Sequence, residues 1–178
     1  MTRWEKMMVF YGSHHRSPLN VAAHVVGVPI ILTGALIPLA LIEVGLPGLR
    51  LTGAWIAAIA LGETYFKLDR GFAYGSVVLL GGALAGAHSA AALPPSRALA
   101  IAAWCFFGGY VLQFIAHGVE GKRPALFENA LMAQVTAPLF VVAEIYKLLG
   151  LRRDVFERVE SEIRRRESAP ADSAPAAG

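Results

Sequence analysis

Long apolar runs separated by short polar breaks dominate the chain, at 20–43, 51–66, 72–93, 98–117 and 130–149. Each reads as a helix, because runs this long exceed the ordinary length of a buried strand. The first contains Pro29 and Pro38, which membrane helices tolerate better than soluble ones. The second, at ~16 residues, is a little short for a full crossing. In the third, Gly81, Gly82, Ala83, Ala85, Gly86 and Ala87 predict close backbone approach. Ahead of these runs Trp4, Met7, Met8 and Tyr11 fall at i, i+3, i+4 and i+7, so 2–12 is a short helix with one apolar stripe. Its Trp and Tyr place it at the membrane surface. Gly12 ends it, and Ser17 with Pro18 gives the N-cap and first turn of the next helix. Beyond the last run, Leu151, Val155, Val159 and Ile163 recur every four residues among six arginines. This predicts an amphipathic basic helix over 151–166. The Ala-, Pro- and Ser-rich 167–178 is expected to be disordered.

Composition turns the apolar runs into membrane spans. Of 178 residues, 56% are hydrophobic and 16% charged, with mean hydropathy +0.53; soluble domains carry ~25% charged residues. Links this short predict a single membrane-embedded domain over 1–150. Cys105 is the one cysteine, which excludes an internal disulfide and a thiolate metal cluster. The net charge of +3 does not point to nucleic acid, because the basic residues flank apolar segments and face anionic lipid. With four spans, Arg3, Lys6, Arg16, Lys67, Arg70, Lys122, Arg123 and the C-terminal arginines share one side, leaving Arg50 and Arg97 opposite. A fifth crossing would export the arginine-rich end against the positive-inside rule. The expected fold is therefore an all-α polytopic membrane bundle of four spans. The fifth apolar segment is interfacial, re-entrant or packed on the bundle, and both termini are cytoplasmic. Residues 1–13 have no apolar core, so the first run is expected to be retained and not cleaved. The Ala, Gly and Arg bias suggests a bacterial inner membrane.

Ionisable groups at the ends of such segments are costly and mark a site. Two clusters stand out, His15-x4-Asn20-x3-His24 and Gln113-x3-His117-x2-Glu120. Together they hold three imidazoles and a carboxylate, a ligand set for iron or zinc. Nine positions of unbroken helix would set His15 and His24 ~180° apart, so the break at Ser17 is what lets His15 fold back. The topology brings both clusters to one membrane face, whereas His88 lies ~24 Å deeper. Each residue also has a plainer reading. A lone helix-end histidine is usually satisfied by water or a carbonyl. Asn20 can support a helix start, Gln113 can orient His117, and Glu120 can be an ordinary carboxylate beside Lys122 and Arg123. Glu144 is an intramembrane carboxylate and a site candidate, with Lys147 or Arg123 as alternative partners. Lys122 and Arg123 form a turn or attract an anionic head group. His14 points elsewhere than His15, Glu63 pairs with Lys67, and Tyr65 and Asp69 lie near the same face. From the chemistry alone, a haem held by His24 and His117, a lipid-binding or transport scaffold, and a zinc hydrolase remain open.

The string Tyr11...His15-x4-Asn20-x3-His24-x2-Gly27-x-Pro29 is followed by two more. They are Gln113-Phe114-Ile115-x-His117-x2-Glu120-Gly121-Lys122-x-Pro124-Ala125 and Ala137-Pro138-Leu139-Phe140-x3-Glu144. This arrangement, over about residues 11–146, resembles the small membrane family of Fe(II)-dependent 2-hydroxy fatty acid dioxygenases. Its fungal member is an endoplasmic-reticulum enzyme of phytosphingosine breakdown. One departure is Ala116, where many members carry Gly. The resemblance implies Fe(II) bound by His15, His24 and His117. It also implies a long-chain 2-hydroxy fatty acid and O2 as substrates, with loss of one carbon. Asn20, Gln113, Glu120 and Glu144 would then support the chemistry, and Lys122 and Arg123 the substrate head group.

Overall fold

The computed structural model describes residues 1–46 and 49–168. Thr2 and Glu5 close a reciprocal capping box that starts α1 (Arg3–Ser13). Ser17 and Pro18 start α2 (Pro18–Ala40), which carries both internal prolines. A hairpin of β1 (Glu43–Leu46) and β2 (Leu49–Thr52), antiparallel with Glu43 opposite Thr52, leads into α3 (Gly53–Leu68). Asp69 alone links it to α4 (Arg70–Ala91) and caps that helix by accepting from the Gly71 and Phe72 N–H groups. α5 (Pro95–Glu120) ends on Gly121, whose φ of 74° is the left-handed cap glycine permits. A 3-10 turn (Ala125–Phe127) precedes α6 (Ala130–Leu148) and α7 (Arg153–Ser168).

The helices alternate, so the bundle has two distinct ends. At one lie the hairpin, the start of α3 and the end of α4, joined where His88 Nε2 meets Thr52 Oγ1 at 3.1 Å. At the other lie α1, the starts of α2 and α4, the ends of α3 and α5, and α7. There Trp4 of α1 stacks on Phe72 of α4 with ring centroids 4.0 Å apart and planes within 5°. Four helices, α2, α4, α5 and α6, are long and apolar enough to cross a membrane. The second apolar run, α3, only 16 residues long, is not among them, whereas the fifth, α6, is. α6 is held along its length: Glu128, just before it, pairs with His14 at 3.0 Å, Gln134 bonds the Tyr110 hydroxyl, Phe140 packs on Tyr11 and His15, and Tyr146 Oη donates to the Gly71 carbonyl.

The small residues of the third run act in part as expected: Ala83 and Ala87 are buried, and a Cβ on Gly86 would stand 3.1 Å from Thr33 Cγ2 of α2. Gly81 and Gly82 face open space, where a methyl group in place of the glycine hydrogen would have nothing within 4 Å. A tighter approach is made between α2 and α5. A Cβ on Gly34 would stand 2.7 Å from the Phe106 backbone N, and one on Gly109 would stand 2.5 Å from Ile31 Cγ1. Where lipid supplies no hydrophobic drive, such close packing is what holds two helices together.

Two surface helices also differ from expectation. The α1 stripe does not face lipid: Trp4, Met7, Met8 and Tyr11 are buried in the protein core. It is covered by α4, α6 and the Val155, Val159 and Ile163 stripe of α7, with Phe156 set edge-on to Trp4. The α7 arginines pair largely with carboxylates, Arg158 with Glu5 and Asp154, Arg164 with Glu160, and Arg165 and Arg166 with Glu162. α7 continues through Glu167 and Ser168, where composition predicts the start of a disordered tail; the rest of that tail, 169–178, lies outside the described residues.

Candidate metal centre

His15, His24 and His117 converge, each buried, with one potential ligand atom apiece lying within 4.8 Å of the others. Three local features of the sequence produce this. α1 ends at Ser13, and the chain turns at 14–17, which swings His15 back over α2. His24 stands on the second turn of α2, and the glycine contacts of α2 with α5 bring it beside His117, ring centroids 5.2 Å apart. Tyr11 stacks on His15 at 4.2 Å with planes within 9°, and Phe140 of α6 closes the other side at 5.1 Å.

Hydrogen bonds settle which nitrogens are available. His15 Nδ1 donates to the Tyr11 carbonyl at 2.6 Å, and His24 Nδ1 donates to the Asn20 carbonyl at 2.9 Å. Each neutral ring therefore carries its lone pair on Nε2, and the two Nε2 atoms face each other at 3.0 Å. Two lone pairs at that range repel unless a cation or a proton lies between them. Burial, with His24 as the second cause, pushes the His15 imidazole down to about 2, so the proton is disfavoured. A metal ion meets the same need, and two donors bonded at ~2.1 Å to one ion can stand this far apart. The donor set fits a borderline metal such as iron or zinc. It does not fit a haem held by His24 and His117, because rings 5.2 Å apart with a third imidazole against both leave no space for a macrocycle.

Around the triad, Asn20 Nδ2 lies 3.2 Å from His117 Nδ1 and donates to Glu120 Oε2 at 2.5 Å. Glu120 Oε1 accepts from the Arg16 and Ser17 backbone N–H groups at 2.7 and 3.0 Å. Both oxygens of Glu120 are thus engaged by nitrogen donors of the α1–α2 link and α2. Gln113 borders the same cavity but makes no bond to His117, whose Nδ1 is met by Asn20 instead. Lys122 Nζ donates to the Ser13 carbonyl at 2.7 Å, and Arg123 is exposed; neither borders the cavity. Glu144 does not line the triad's cavity but a second groove that His15 also borders, with Arg16 and Glu160, and stands 3.8 Å from Lys147. His14 pairs with Glu128, and His88 is at the far end of the bundle. Glu63 pairs with Lys67 at 2.7 Å, Tyr65 is buried with no partner for its hydroxyl among the described residues, and Asp69 caps α4.

The cavity reached by the triad has a volume of about 120 Å³. Its wall descends along α2 through Val28, Ile31, Leu32 and Ala35, and along α5 through Phe114, Tyr110 and Phe106. From His24 to Ala35 this is ~16 Å of apolar lining at 1.5 Å per residue. Tyr110 and Gln134, the polar side chains at this depth, are hydrogen-bonded to each other.

Comparison with known proteins agrees with this geometry. Residues 1–149 match the family model described as 2-hydroxy-palmitic acid dioxygenase Mpo1-like. The chain is also 28% identical, over 155 residues covering 86% of each chain, to the 2-hydroxy-palmitic acid dioxygenase MPO1 of Saccharomyces cerevisiae. No solved structure matches it. Four spans' worth of apolar helix, a buried histidine triad and a family match that covers every residue of that triad lead to one assignment: the chain belongs to the Mpo1-like family.

Proposed function

We propose that this protein is a membrane-embedded non-haem iron dioxygenase that shortens long-chain 2-hydroxy fatty acids by one carbon, with Fe(II) held by His15, His24 and His117. The observation that carries the reading is the pair of Nε2 lone pairs facing each other at 3.0 Å in a buried pocket that disfavours protons. The named activity of the yeast relative supports the same chemistry. Ferrous iron held by His15, His24 and His117 would supply Lewis acidity toward a 2-hydroxy acid and redox reactivity toward O2.

The protein's own groups do the rest. Tyr11 and Phe140 hold the His15 ring between them, fixing its aim. The Tyr11 and Asn20 carbonyls hold His15 and His24 in the tautomer that turns Nε2 to the centre. Asn20 and Glu120 couple His117 to the α1–α2 link, so that donors from distant parts of the chain keep one spacing. The apolar walls of α2 and α5 take the acyl chain and exclude water from it, while the acid head stays level with the triad. Lys122 acts as a brace on the end of α1, and Glu144 as part of the neighbouring groove, so neither touches substrate. The uneven spread of basic residues supports an orientation in which the triad's end of the bundle, with both termini, faces the cytoplasm from a bacterial inner membrane.

Anaerobic purification followed by metal analysis and O2 uptake tests the proposal. Stoichiometric iron and O2 consumption on adding a long-chain 2-hydroxy acid are expected, and His117→Ala removes both. Turnover by protein free of iron, or iron-loaded protein that consumes no O2 with this substrate, overturns it.

A further inference from the structure

Gln113 is an uncharged polar residue buried beside the histidine triad, at the head of a largely apolar wall. It stands one turn from His117 on the same face of α5, is 8% exposed, and borders the cavity with all three histidines. Its Nε2 has no hydrogen-bond partner among the described residues. Leaving such a donor unpaired is costly, and native proteins keep few of them. Orienting His117 does not account for it, because that ring is already met by Asn20. The neighbouring polar pair, Tyr110 and Gln134, satisfies itself.

The chain also makes room for this amide. A Cβ on Gly27 of α2 would lie 3.4 Å from Gln113 Nε2 and 3.5 Å from the Gly109 carbonyl. The glycines that let α2 and α5 approach therefore also frame the Gln113 side chain. Beyond it, along Val28, Ile31 and Phe106, the wall is apolar. Gln113 thus sits where a polar head level with the histidines gives way to a hydrocarbon tail.

We infer that Gln113 is the residue that selects for the 2-hydroxyl group, its amide pairing with that hydroxyl when the substrate's head lies at the histidine triad. This rests on the proposed function and adds its specificity. A primary amide offers a donor and an acceptor side by side, and a hydroxyl uses both. An unsubstituted fatty acid leaves the amide unpaired and forgoes that gain, and sites built around a substrate hydroxyl discriminate strongly against analogues that lack it.

The test is Gln113→Met, an unbranched match in size, alongside Gln113→Asn, which keeps an amide but shortens its reach. Each is purified with iron quantified, then assayed for KM with 2-hydroxyhexadecanoic acid and for competitive inhibition by hexadecanoic acid. The inference expects full iron content, a KM for the hydroxy acid raised ~10- to 100-fold in the Met variant, and an inhibition constant for the plain acid that stays put. The Asn variant falls between. A Met variant with wild-type KM, a parallel loss of affinity for both acids, or a loss of iron that explains the defect overturns the inference and leaves the dioxygenase reading standing. Wild-type protein that consumes no O2 with the hydroxy acid overturns that reading instead, and the inference with it.

Discussion

Glu120 shows how a residue's type can be legible when its job is not. An ionisable group one turn after His117 marks a site, and the structure does place it beside the triad, but with both oxygens engaged by Arg16, Ser17 and Asn20. The signal that pointed to this lies at the other cluster. Ser17 caps α2 without a side-chain bond, and Pro18 has no N–H, so the donors just ahead of α2 need an acceptor from elsewhere. A carboxylate there also suits the positive end of the helix. Glu120→Ala should therefore lower stability by ~1–3 kcal/mol and weaken iron binding, with Glu120→Gln milder because one oxygen acceptor remains. Thermal unfolding and metal titration of the two variants check this; an Ala variant equal to wild type in both would show the carboxylate to be idle. That the two histidine clusters meet is readable from their spacing together with the topology, because a break at Ser17 is needed for His15 to reach His24 and the sequence supplies it, whereas the choice of these three as the ligand set comes from the family resemblance. Lys122 is not, since nothing in a sequence tells whether an ammonium meets a ligand or, as here, the Ser13 carbonyl.

Helix periodicity locates α1 and α7 to within two residues but not the surfaces their stripes cover. Amphipathicity alone turns both toward lipid, and they face each other, because two such stripes can satisfy one another as well as either can satisfy a membrane. This gives α7 a role at the triad. Arg16, next to His15, forms a two-pronged pair with Glu160 at 2.7 and 2.9 Å, and Ile163 lies 3.1 Å from the position a Cβ on Gly12 would take. The Arg16 guanidinium, aided by Arg164, holds the Glu160 carboxyl down at about 2 despite its partial burial. A depressed carboxylate stabilises the fold above its unfolded value of ~4.3, and that contribution fades as pH falls toward 2. With both side chains about one-third exposed, it amounts to ~1 kcal/mol or less. Glu160→Gln should thus unfold at a lower temperature than wild type at pH 7, and the gap should narrow on acidification from pH ~5 to ~2 and with added salt. A gap that stays constant over that range would mean the pair contributes nothing through its charge.

At the scale of the whole molecule, the length and apolarity of the segments are enough for the all-α bundle and for four helices able to span, though it is the fifth run and not the short second one that joins the four. Which helices pack tightly is not legible, because glycines in a sequence mark possible approach and only the three-dimensional neighbours decide it. Gly34→Ala should prove disruptive, since its methyl would meet Phe106 N and the Ala102 carbonyl, at 2.7 and 2.9 Å, and backbone cannot step aside. A cost of ~1–3 kcal/mol and reduced iron content are expected, against little change for Gly81→Ala, which points into open space. Equal unfolding temperatures for the two variants would remove the α2–α5 contact from its place in the account. Metal should in turn hold the bundle together. Chelating the iron-loaded protein should lower its unfolding temperature, with ~2.7 kcal/mol at stake where free metal stands at 100 times Kd, and His24→Ala should abolish the difference. The packing of α1 against α7 carries a last implication, for biosynthesis. Ribosomes deliver the arm bearing His15 before any span and deliver its cover after all of them, so the histidine triad cannot be fully braced while the chain is still being made. The arm that carries the first ligand thus gains its outer support only at the last step of synthesis.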